Sequence, residues 1–476
     1  MKDFDEQLFW ATIPELNTKL KARAVSAVEM ARAFSSRMES VGRRFNALAL
    51  PLTESAIRKA KLVDDDLKRD RFRSPLQGIP FGAKDLLSVE GEITTWGAKP
   101  YAAQVFDYTA TVLTKLDKIG ALLIAKLAMV ELAGGGGYNI AGASLFGPGL
   151  NPWDRTRWAG GSSSGSATAV AAGLVPYALG SETSGSIITP ATFCGVTGLR
   201  PTYGLVSRHG AMALSWTMDK VGPIARTAED CALVLQAIAG KDAQDPGSAG
   251  KSFYYVPDVV RKFGDLKIGF APVDFSDRPM PNLRPVLAQA FETVKSLGIP
   301  MVEKKLPDFP YGPMTGAIIG AEGASIFEKL ITSGQVDQLA DPDQIAGLKA
   351  RLEMPAKDYL KAQRIRSLMQ REFHKLFSEV DVLLAPARYT VAPEVAKPLD
   401  YRPPDAPQPP DDPGFSSIIP AGNLAGLPAL CLPCGFADGL PVGIQLVGNP
   451  FSENTLIAIG KAFQSRTDFH RQRPKV

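Results

Sequence analysis

Histidine and cysteine are scarce in this sequence, and this limits the catalytic and metal-binding chemistry open to it. Among 476 residues, the three histidines and four cysteines are His209, His374, His470, Cys194, Cys231, Cys431 and Cys434. So few cysteines exclude a disulfide scaffold and fit a reducing compartment. Cys431 and Cys434 match C-x-x-C but lack a second zinc-ligand pair and a thioredoxin-like setting, so we expect them to fill space on a strand. We expect no metal and no cofactor.

The sequence also lacks a long apolar run and a large excess of one charge. No uninterrupted apolar stretch reaches the roughly 18 residues of a membrane span, and the acidic start at residues 1–6 does not resemble a signal peptide. The 53 basic and 49 acidic residues give a net charge of +4, without a Lys/Arg cluster. We expect a cytoplasmic monomer or homodimer that acts on a small molecule and contacts neither membrane nor nucleic acid.

The rest of the composition is that of a globular protein, with 45% hydrophobic and 21% charged residues. Residues 1–70 have apolar residues at helical spacing. In residues 75–235, β-like runs alternate with Gly-rich turns and Ala-rich helical runs, which predicts an α/β fold with a mostly parallel sheet. Residues 240–415 are less distinctive, and residues 416–476 return to the earlier pattern. We expect one domain over residues 1–476, with the substrate pocket in the variable 240–415 part.

Three segments carry the catalytic signal, at residues 78–85, 160–166 and 180–187. The second and third are Gly/Ser turns that precede helical or apolar runs. Small residues leave backbone amides exposed, and a helix N-terminus favours developing negative charge. A serine in such a turn can attack a carbonyl while nearby amides stabilise the oxyanion.

A serine nucleophile also needs a base, and no histidine lies beside these turns. Lys84 follows a strand-like run, residues 81–83, in the first segment. Burial there would lower the pKa of its ammonium group and make a neutral amine available as the base. We therefore predict a lysine-dependent serine hydrolase.

The three segments resemble the amidase signature family, whose core runs Gly-Gly-Ser-Ser-Gly-Gly and then Asp-Thr-Gly-Gly-Ser. Ser162 and Ser186 are 24 residues apart, as the corresponding serines are in that family. Further matches lie at residues 78–80, 84–85, 151–153, 198–204, 219–223, 423–428 and 439–445. The resemblance implies an α/β fold with a mixed, mostly parallel β-sheet sandwiched by helices on both faces.

The resemblance also implies residue roles. Ser186 would be the nucleophile, Ser162 a bridging serine held by a cis peptide bond, and Lys84 the general base. The oxyanion hole would be formed by the backbone amides of Thr183, Ser184, Gly185 and Ser186. The implied reaction is hydrolysis of C–N amide-type bonds through an acyl-enzyme, with aryl or alkyl amides, carbamates (urethanes) and esters as the substrate classes.

Three residues depart from the family pattern. Ser164 and Ser184 replace the usual glycines, and Glu182 replaces the usual aspartate. Ser184 lies inside the predicted oxyanion hole, where an added side chain would narrow or rotate the loop. These departures put the substrate preference in question more than the reaction type.

Other interpretations of the same residues are weaker. Residues 161–165 also fit the G-x-S-x-G nucleophile elbow, with Ser163 as nucleophile and Asp381 and His470 as partners. His470 lies in a polar tail, however, and we expect it at the surface. The S-x-x-K pattern at residues 248–251 is turn-like and not helical. We expect Arg200, Asp85 and Asp219 to brace loops.

Two other functions stay open. The chain resembles the amidase subunit of a glutamine-dependent tRNA amidotransferase, although such subunits generally carry an acidic residue seven positions before the matching asparagine. Here Ser416 holds that position relative to Asn423, which favours a free-standing hydrolase. A non-catalytic binding protein on the same scaffold is the other alternative.

The pocket itself is less well predicted. Large apolar residues within 300–420 suggest an apolar pocket, although core packing explains them equally well: Phe309, Tyr311, Met314, Phe327, Met354 and Phe415. Residues 398–413 include seven prolines and predict an exposed loop, which we interpret as a surface connection.

Overall fold

A computed structural model describes residues 4–256, 262–403, 406 and 408–476. Eleven strands lie in these ranges: β1 Leu48–Pro51, β2 Pro80–Lys84, β3 Leu122–Leu127, β4 Tyr177–Glu182, β5 Thr197–Arg200, β6 Lys220–Ala225, β7 Ile268–Phe270, β8 Met301–Glu303, β9 Val382–Pro386, β10 Ala429–Ala437 and β11 Leu440–Gly448.

The α-helices are numbered in the same way: α1 Ile13–Lys21, α2 Ala27–Ser40, α3 Thr53–Lys68, α4 Thr111–Lys118, α5 Ser164–Ala171, α6 Ile188–Cys194, α7 Ala228–Ile238, α8 Arg284–Lys295, α9 Tyr311–Ile326, α10 Glu328–Thr332, α11 Pro342–Leu352, α12 Ala356–Glu379, α13 Ile418–Ala425 and α14 Glu453–Gln464. Short 3₁₀ turns lie between several of them.

All eleven strands form one sheet in the order β1-β3-β2-β4-β6-β5-β10-β11-β9-β7-β8. The predicted α/β fold with a mixed sheet is confirmed, but the expectation that the sheet is mostly parallel is wrong. Among described residues six neighbouring pairs are antiparallel and four are parallel. The excess arises because β10 and β11 form a hairpin and because β6 and β5 run against their neighbours. That the chain is one domain stays a prediction.

Strand β10 shows how helices cover both faces of the sheet. The Sγ atom of Cys431 lies 3.3 Å from Oγ1 of Thr192 on α6. Leu430 and Leu432, which point the other way, pack against Gly460 of α14. Because alternate residues of a strand point to opposite faces, α6 and α14 lie on opposite sides. All four cysteines are buried and free, so Cys431 is a packing residue as expected.

Local sequence signals account for many helices. Ser26 caps α2 by accepting from the backbone of Glu29, whose side chain accepts from the backbone of Ser26 in return. In the less distinctive part of the sequence, helix α12 leads directly into β9. One long described helix, α12, is charged along its length, and no described helix is long and apolar enough to cross a membrane.

The centre of the sheet positions the predicted catalytic segments. Strands β2 and β4 are adjacent and parallel, so their carboxyl ends meet at one edge. Lys84 ends β2, and Glu182 ends β4. The Gly/Ser turn before α5 and the turn between β4 and α6 begin at the same edge. Segments that are far apart in the sequence are therefore neighbours in space.

Candidate active site

Lys84 is fully buried at the end of β2. Its Nζ atom lies 2.7 Å from Oγ of Ser162 and 3.0 Å from Oγ of Ser181. Burial lowers the pKa of Lys84 to about 7, although the carboxylates of Asp219 and Glu182 act to raise it. A substantial fraction of this lysine is therefore a neutral amine near neutral pH, and a neutral amine can accept a proton.

Ser162 lies in the turn that precedes α5. The peptide bond between Gly161 and Ser162 is cis, and Gly160 has a φ of 86°, a conformation that favours glycine. A side chain at Gly160 would come within 2.7 Å of the backbone of Pro190 on α6. The glycine therefore allows this turn to approach α6 closely. The turn holds Ser162 over the end of β2, where Lys84 reaches it.

Ser186 lies beside this pair, at the last turn before α6. Its carbonyl oxygen accepts a hydrogen bond of 3.3 Å from the backbone amide of Ser163, so the two Gly/Ser turns touch. Its Oγ atom makes no hydrogen bond to a described residue, including Ser162. The structure thus brings Lys84 and Ser162 into contact and places Ser186 against the same turn without a closed hydrogen-bonded chain.

The loop at residues 183–186 has backbone amides available for a ligand. The amides of Ser184, Gly185 and Ser186 donate no hydrogen bond to another described residue. Gly185 has a φ of 89°, and a side chain there would meet Ile419 at 3.2 Å and Thr189 at 3.3 Å. Ser184 is half-buried, so its extra hydroxymethyl group is accommodated in the loop.

A buried carboxylate fixes this loop from beneath. Glu182 accepts hydrogen bonds from the backbone amides of Ile187 (2.8 Å) and Ile188 (3.0 Å). Its other oxygen accepts from Arg200 and from Asn423, both at 2.8 Å. Burial raises the pKa of Glu182, but Arg200 and these hydrogen bonds outweigh it and hold the pKa at about 2. From the sequence, Glu182 stood out only as a departure from a family pattern.

A second carboxylate holds the other side of the loop. Asp219 accepts a hydrogen bond of 2.6 Å from the hydroxyl of Thr183 and bonds from the amides of Leu214 and Ser215. A cavity of about 200 Å³ borders Thr183, Asp219 and Ser181. Asp219 and Arg200 therefore brace loops, as predicted. Asp85 does the same by accepting a hydrogen bond of 3.0 Å from the backbone amide of Thr95, and it also forms a 2.8 Å ion pair with Lys126 on β3.

A larger cavity of about 470 Å³ is lined in part by residues that lie just before the Ser162 turn and on α6. Its wall includes Trp158, Phe193, Arg388 and Tyr389. The predicted pocket residues are mostly elsewhere, because Phe415, Phe327 and Met314 are buried in the core. The proline-rich segment, residues 398–413, is described except at residues 404, 405 and 407. Its residues 398–403 and 409 line this cavity, so the segment is more than the surface connection that we expected. Arg388 gave no motif signal in the sequence.

The other candidate nucleophiles are not assembled into sites. The Oγ atom of Ser163 donates to the carbonyl oxygen of Ser181 (3.1 Å) and accepts from its amide (3.2 Å), so Ser163 braces β4. Asp381 accepts from the amide of Lys267 at the far end of the sheet. His470 is buried, contrary to expectation, because the C-terminal tail packs against residues near Arg226. Within the described residues no cluster suited to a metal ion is found.

Comparison with known proteins identifies the class. The model of a family named Amidase matches residues 29–457 of this chain. The chain therefore belongs to the amidase signature family, and the recognition made from the motifs is confirmed. It is an amidase-type enzyme that acts on C–N bonds.

Individual relatives are similar over nearly the whole chain. A glutamyl-tRNA(Gln) amidotransferase subunit from Moorella thermoacetica is 36% identical, and the alignment covers 99% of each chain. A chain in the solved structure of a vestigial protein complex, which reveals the evolutionary origins of an s-triazine catabolic enzyme, is 30% identical to this chain. The two structures align with a TM-score of 0.87 over 98% of this chain and 100% of that one. Native peptide amidase from Stenotrophomonas maltophilia is 28% identical with a TM-score of 0.81, covering 98% of each chain.

These relatives correct one expectation. A chain that acts only on small molecules, without nucleic acid, was predicted from the scattered surface charge. That prediction is wrong, because relatives matching 98–99% of this chain at 36–37% identity are subunits of an amidotransferase named for glutamyl-tRNA. Net charge is a sum over the whole chain, and a value of +4 does not show whether one part of the surface can bind a partner.

Proposed function

We propose that this chain cleaves the C–N bond of an amide through an acyl-enzyme on Ser186, with Ser162 and Lys84 as the proton relay. The observation that carries the proposal is the 2.7 Å contact between Nζ of buried Lys84 and Oγ of Ser162, on the turn that touches Ser186. The lowered pKa of Lys84 supports its role as the base.

The proposed reaction has two stages, formation of the acyl-enzyme and its hydrolysis. Oγ of Ser186 attacks the amide carbonyl, and its proton passes to Ser162, whose own proton passes to neutral Lys84. The amides of residues 183–186 stabilise the oxyanion, since those of Ser184, Gly185 and Ser186 have no other described partner. The lysine ammonium returns a proton through Ser162 to the leaving nitrogen as the C–N bond breaks. Water then attacks the ester and releases the acid and free Ser186.

The relatives favour a role for this chemistry inside an amidotransferase. We propose that the chain is an amidase subunit that releases ammonia from an amide donor, as the similarity to glutamyl-tRNA(Gln) amidotransferase subunits supports. Ser416 stands where an acidic residue was expected for glutamine, so the test below compares glutamine with other donors. Hydrolysis of carbamates and esters stays a prediction.

The proposal is tested with a matched set of donors and variants. Wild-type protein and Ser186→Ala are assayed with glutamine, a primary aromatic amide, a p-nitroanilide, an aryl carbamate and an ester. We expect amine or ammonia release to fall by about 10⁴-fold or more in Ser186→Ala. Ser35→Ala is the control, because Ser35 is buried and its Oγ has no hydrogen-bond partner among the described residues.

The outcomes separate the alternatives. Equal turnover by wild type and Ser186→Ala would show that Ser186 is not the nucleophile. The wild type alone could fail to turn over any donor and become active once a candidate partner and glutamylated tRNA are added. That result would support the amidotransferase role. No turnover under either condition, and no labelling of Ser186 by a fluorophosphonate, would favour the non-catalytic binding protein.

A further inference from the structure

Arg388 is an unpaired cation on the wall of the larger cavity. Among the described residues its guanidinium forms no hydrogen bond and no ion pair. It stacks on the ring of Phe193, whose centroid lies 5.8 Å from the guanidinium carbon. Arg388 is exposed in the cavity, and the surrounding protein lowers its pKa by desolvation. A guanidinium with five donors and no protein acceptor is suited to bind an anionic ligand.

The cavity that contains Arg388 adjoins the catalytic turn. A side chain at Gly161 would lie 2.8 Å from the Trp158 ring and 3.1 Å from the Tyr138 hydroxyl. Phe193, on the same wall, lies on α6, whose first turn follows Ser186. Trp158 therefore connects the cavity wall to the turn that carries Ser162, and Phe193 connects it to the helix that follows Ser186.

The shape and charge of the cavity restrict what it can hold. The rings of Trp158 and Phe193, which line the cavity, pack edge to face with centroids 6.5 Å apart. Such a wall favours a flat apolar body. The described charged side chains that line the cavity are five basic and two acidic: Arg157, Arg278, Arg388, Lys397, Arg402, Glu394 and Asp400.

Other basic side chains of the cavity differ from Arg388 in having partners. Lys397 lies 3.1 Å from the carboxylate of Glu394. Arg278 pairs with Asp274 and donates to the backbone of the proline-rich loop. Arg157 lies 3.8 Å from the carboxylates of Asp154 and Glu394, and Arg402 also has an interaction partner. Among the described basic side chains of the cavity, Arg388 is thus the one available to a ligand.

We propose that Arg388 binds a carboxylate on the substrate, so that the preferred substrate is an amide with a flat apolar body and a carboxylate at the end remote from the scissile bond. This inference rests on the proposed function, because it assigns the substrate class of the same site. Arg388 is a specificity residue that touches the substrate, and it takes no part in proton transfer.

Binding is the first test, because it does not require turnover. In a Ser186→Ala background, calorimetry is used with 4-carbamoylbenzoate and with its methyl ester, which has the same body without the charge. We expect the acid to bind at least about 10-fold more tightly than the ester, since charge-assisted hydrogen bonds are lost with the ester. Arg388→Gln should abolish this difference, and Arg388→Lys should retain part of it.

The control keeps the comparison interpretable. Arg155→Gln removes an exposed arginine that stacks on Phe45 outside the cavity, and it should leave the difference between acid and ester unchanged. Thermal melting of each variant checks folding. Equal binding of acid and ester, no binding of the acid, or an unchanged preference in Arg388→Gln would each overturn the proposal. If glutamine bound more tightly than 4-carbamoylbenzoate, the proposal that the substrate has a flat apolar body would be wrong.

Kinetics separate this inference from the proposed function. Ser186-dependent hydrolysis of acid and ester with equal kcat/KM would refute the role of Arg388 and leave the nucleophile assignment standing. Arg388-dependent binding of the acid without any Ser186-dependent turnover would refute the proposed function and leave the carboxylate site standing.

Discussion

The lysine side of the site, around Lys84, and the cavity side, around Arg388, differ in how their polar groups are used. On the lysine side, Lys84 and Glu182 are buried and Asp219 is half-buried. All three are hydrogen-bonded, and each contact fixes a loop or a neighbouring side chain. On the cavity side, Arg388 has no described partner, and aromatic rings form the wall. The comparison indicates that the two sides have different functions. The lysine side is preorganised for the reaction, and the cavity side is left open for recognition of the substrate.

The largest effect expected from this division is the loss of the base. Lys84→Met removes the group that contacts Ser162, and we expect kcat to fall by about 10³-fold or more on every substrate alike. Arg388→Gln should instead affect only carboxylate-bearing substrates. Steady-state kinetics on an acid and its ester measure both. A Lys84→Met loss confined to one substrate class would break the comparison.

A neighbouring lysine provides the matched control. Lys220 is buried on β6, and its Nζ has no hydrogen-bond partner among the described atoms. Lys220→Met should therefore retain most of the activity. An equal loss in both variants would show that burial of a lysine, and not its contact with Ser162, matters for catalysis.

The next effect concerns stability. Glu182→Gln leaves Arg200 without its anion and replaces an acceptor of the Ile187 and Ile188 amides, so we expect about 3 kcal/mol less free energy of unfolding. Chemical denaturation measures this. Glu229→Gln, which removes a half-exposed partner of Lys461, should cost less than about 1 kcal/mol. Equal losses in the two variants would contradict the role given to Glu182.

The sign of the pH dependence follows from the same residue. The pKa of Glu182 is about 2 in the folded chain and 4.5 in an ordinary environment. Its contribution to stability is therefore present above about pH 4.5 and is lost as the pH falls toward 2. Glu182→Gln should be less sensitive than wild type in this range, as measured by melting temperature.

The last prediction concerns the pH dependence of kcat/KM. Since only neutral Lys84 can accept the proton and its pKa is about 7, kcat/KM should rise with pH and level off above about 7. The slope on the acid side should approach tenfold per pH unit. A substrate without titrating groups is used between pH 5 and 9. A flat profile would mean that Lys84 does not act as the base.

Sequence patterns were most informative where the signal is local. The spacing of Ser162 and Ser186, the glycines of their turns and the strand before Lys84 defined the candidate site. The helices α1, α2 and α3 lie in residues 1–70, where apolar residues recur at helical spacing. The number of antiparallel pairs was not predictable in this way, because the direction of a strand depends on where its partner lies in the finished sheet.

The residues that line the larger cavity were also not predicted from sequence patterns. Phe415 and Phe327 have the same apolar character as Phe193, but the first two pack in the core and the third faces the cavity. His470 lies in a polar tail and is nevertheless buried. The role of Glu182 in holding the start of α6 required knowledge of Arg200 and Asn423, which are 18 and 241 residues away in the chain.

The sequence by itself determined the family, the three segments of the candidate site and the side chains available for chemistry there. These depend on residue types and on short-range geometry, which a linear sequence records directly. Only the tertiary structure decided which charges are paired, because pairing depends on groups brought together from distant strands and loops. Lys84 is a candidate base, and Arg388 a candidate receptor for a carboxylate, for that reason.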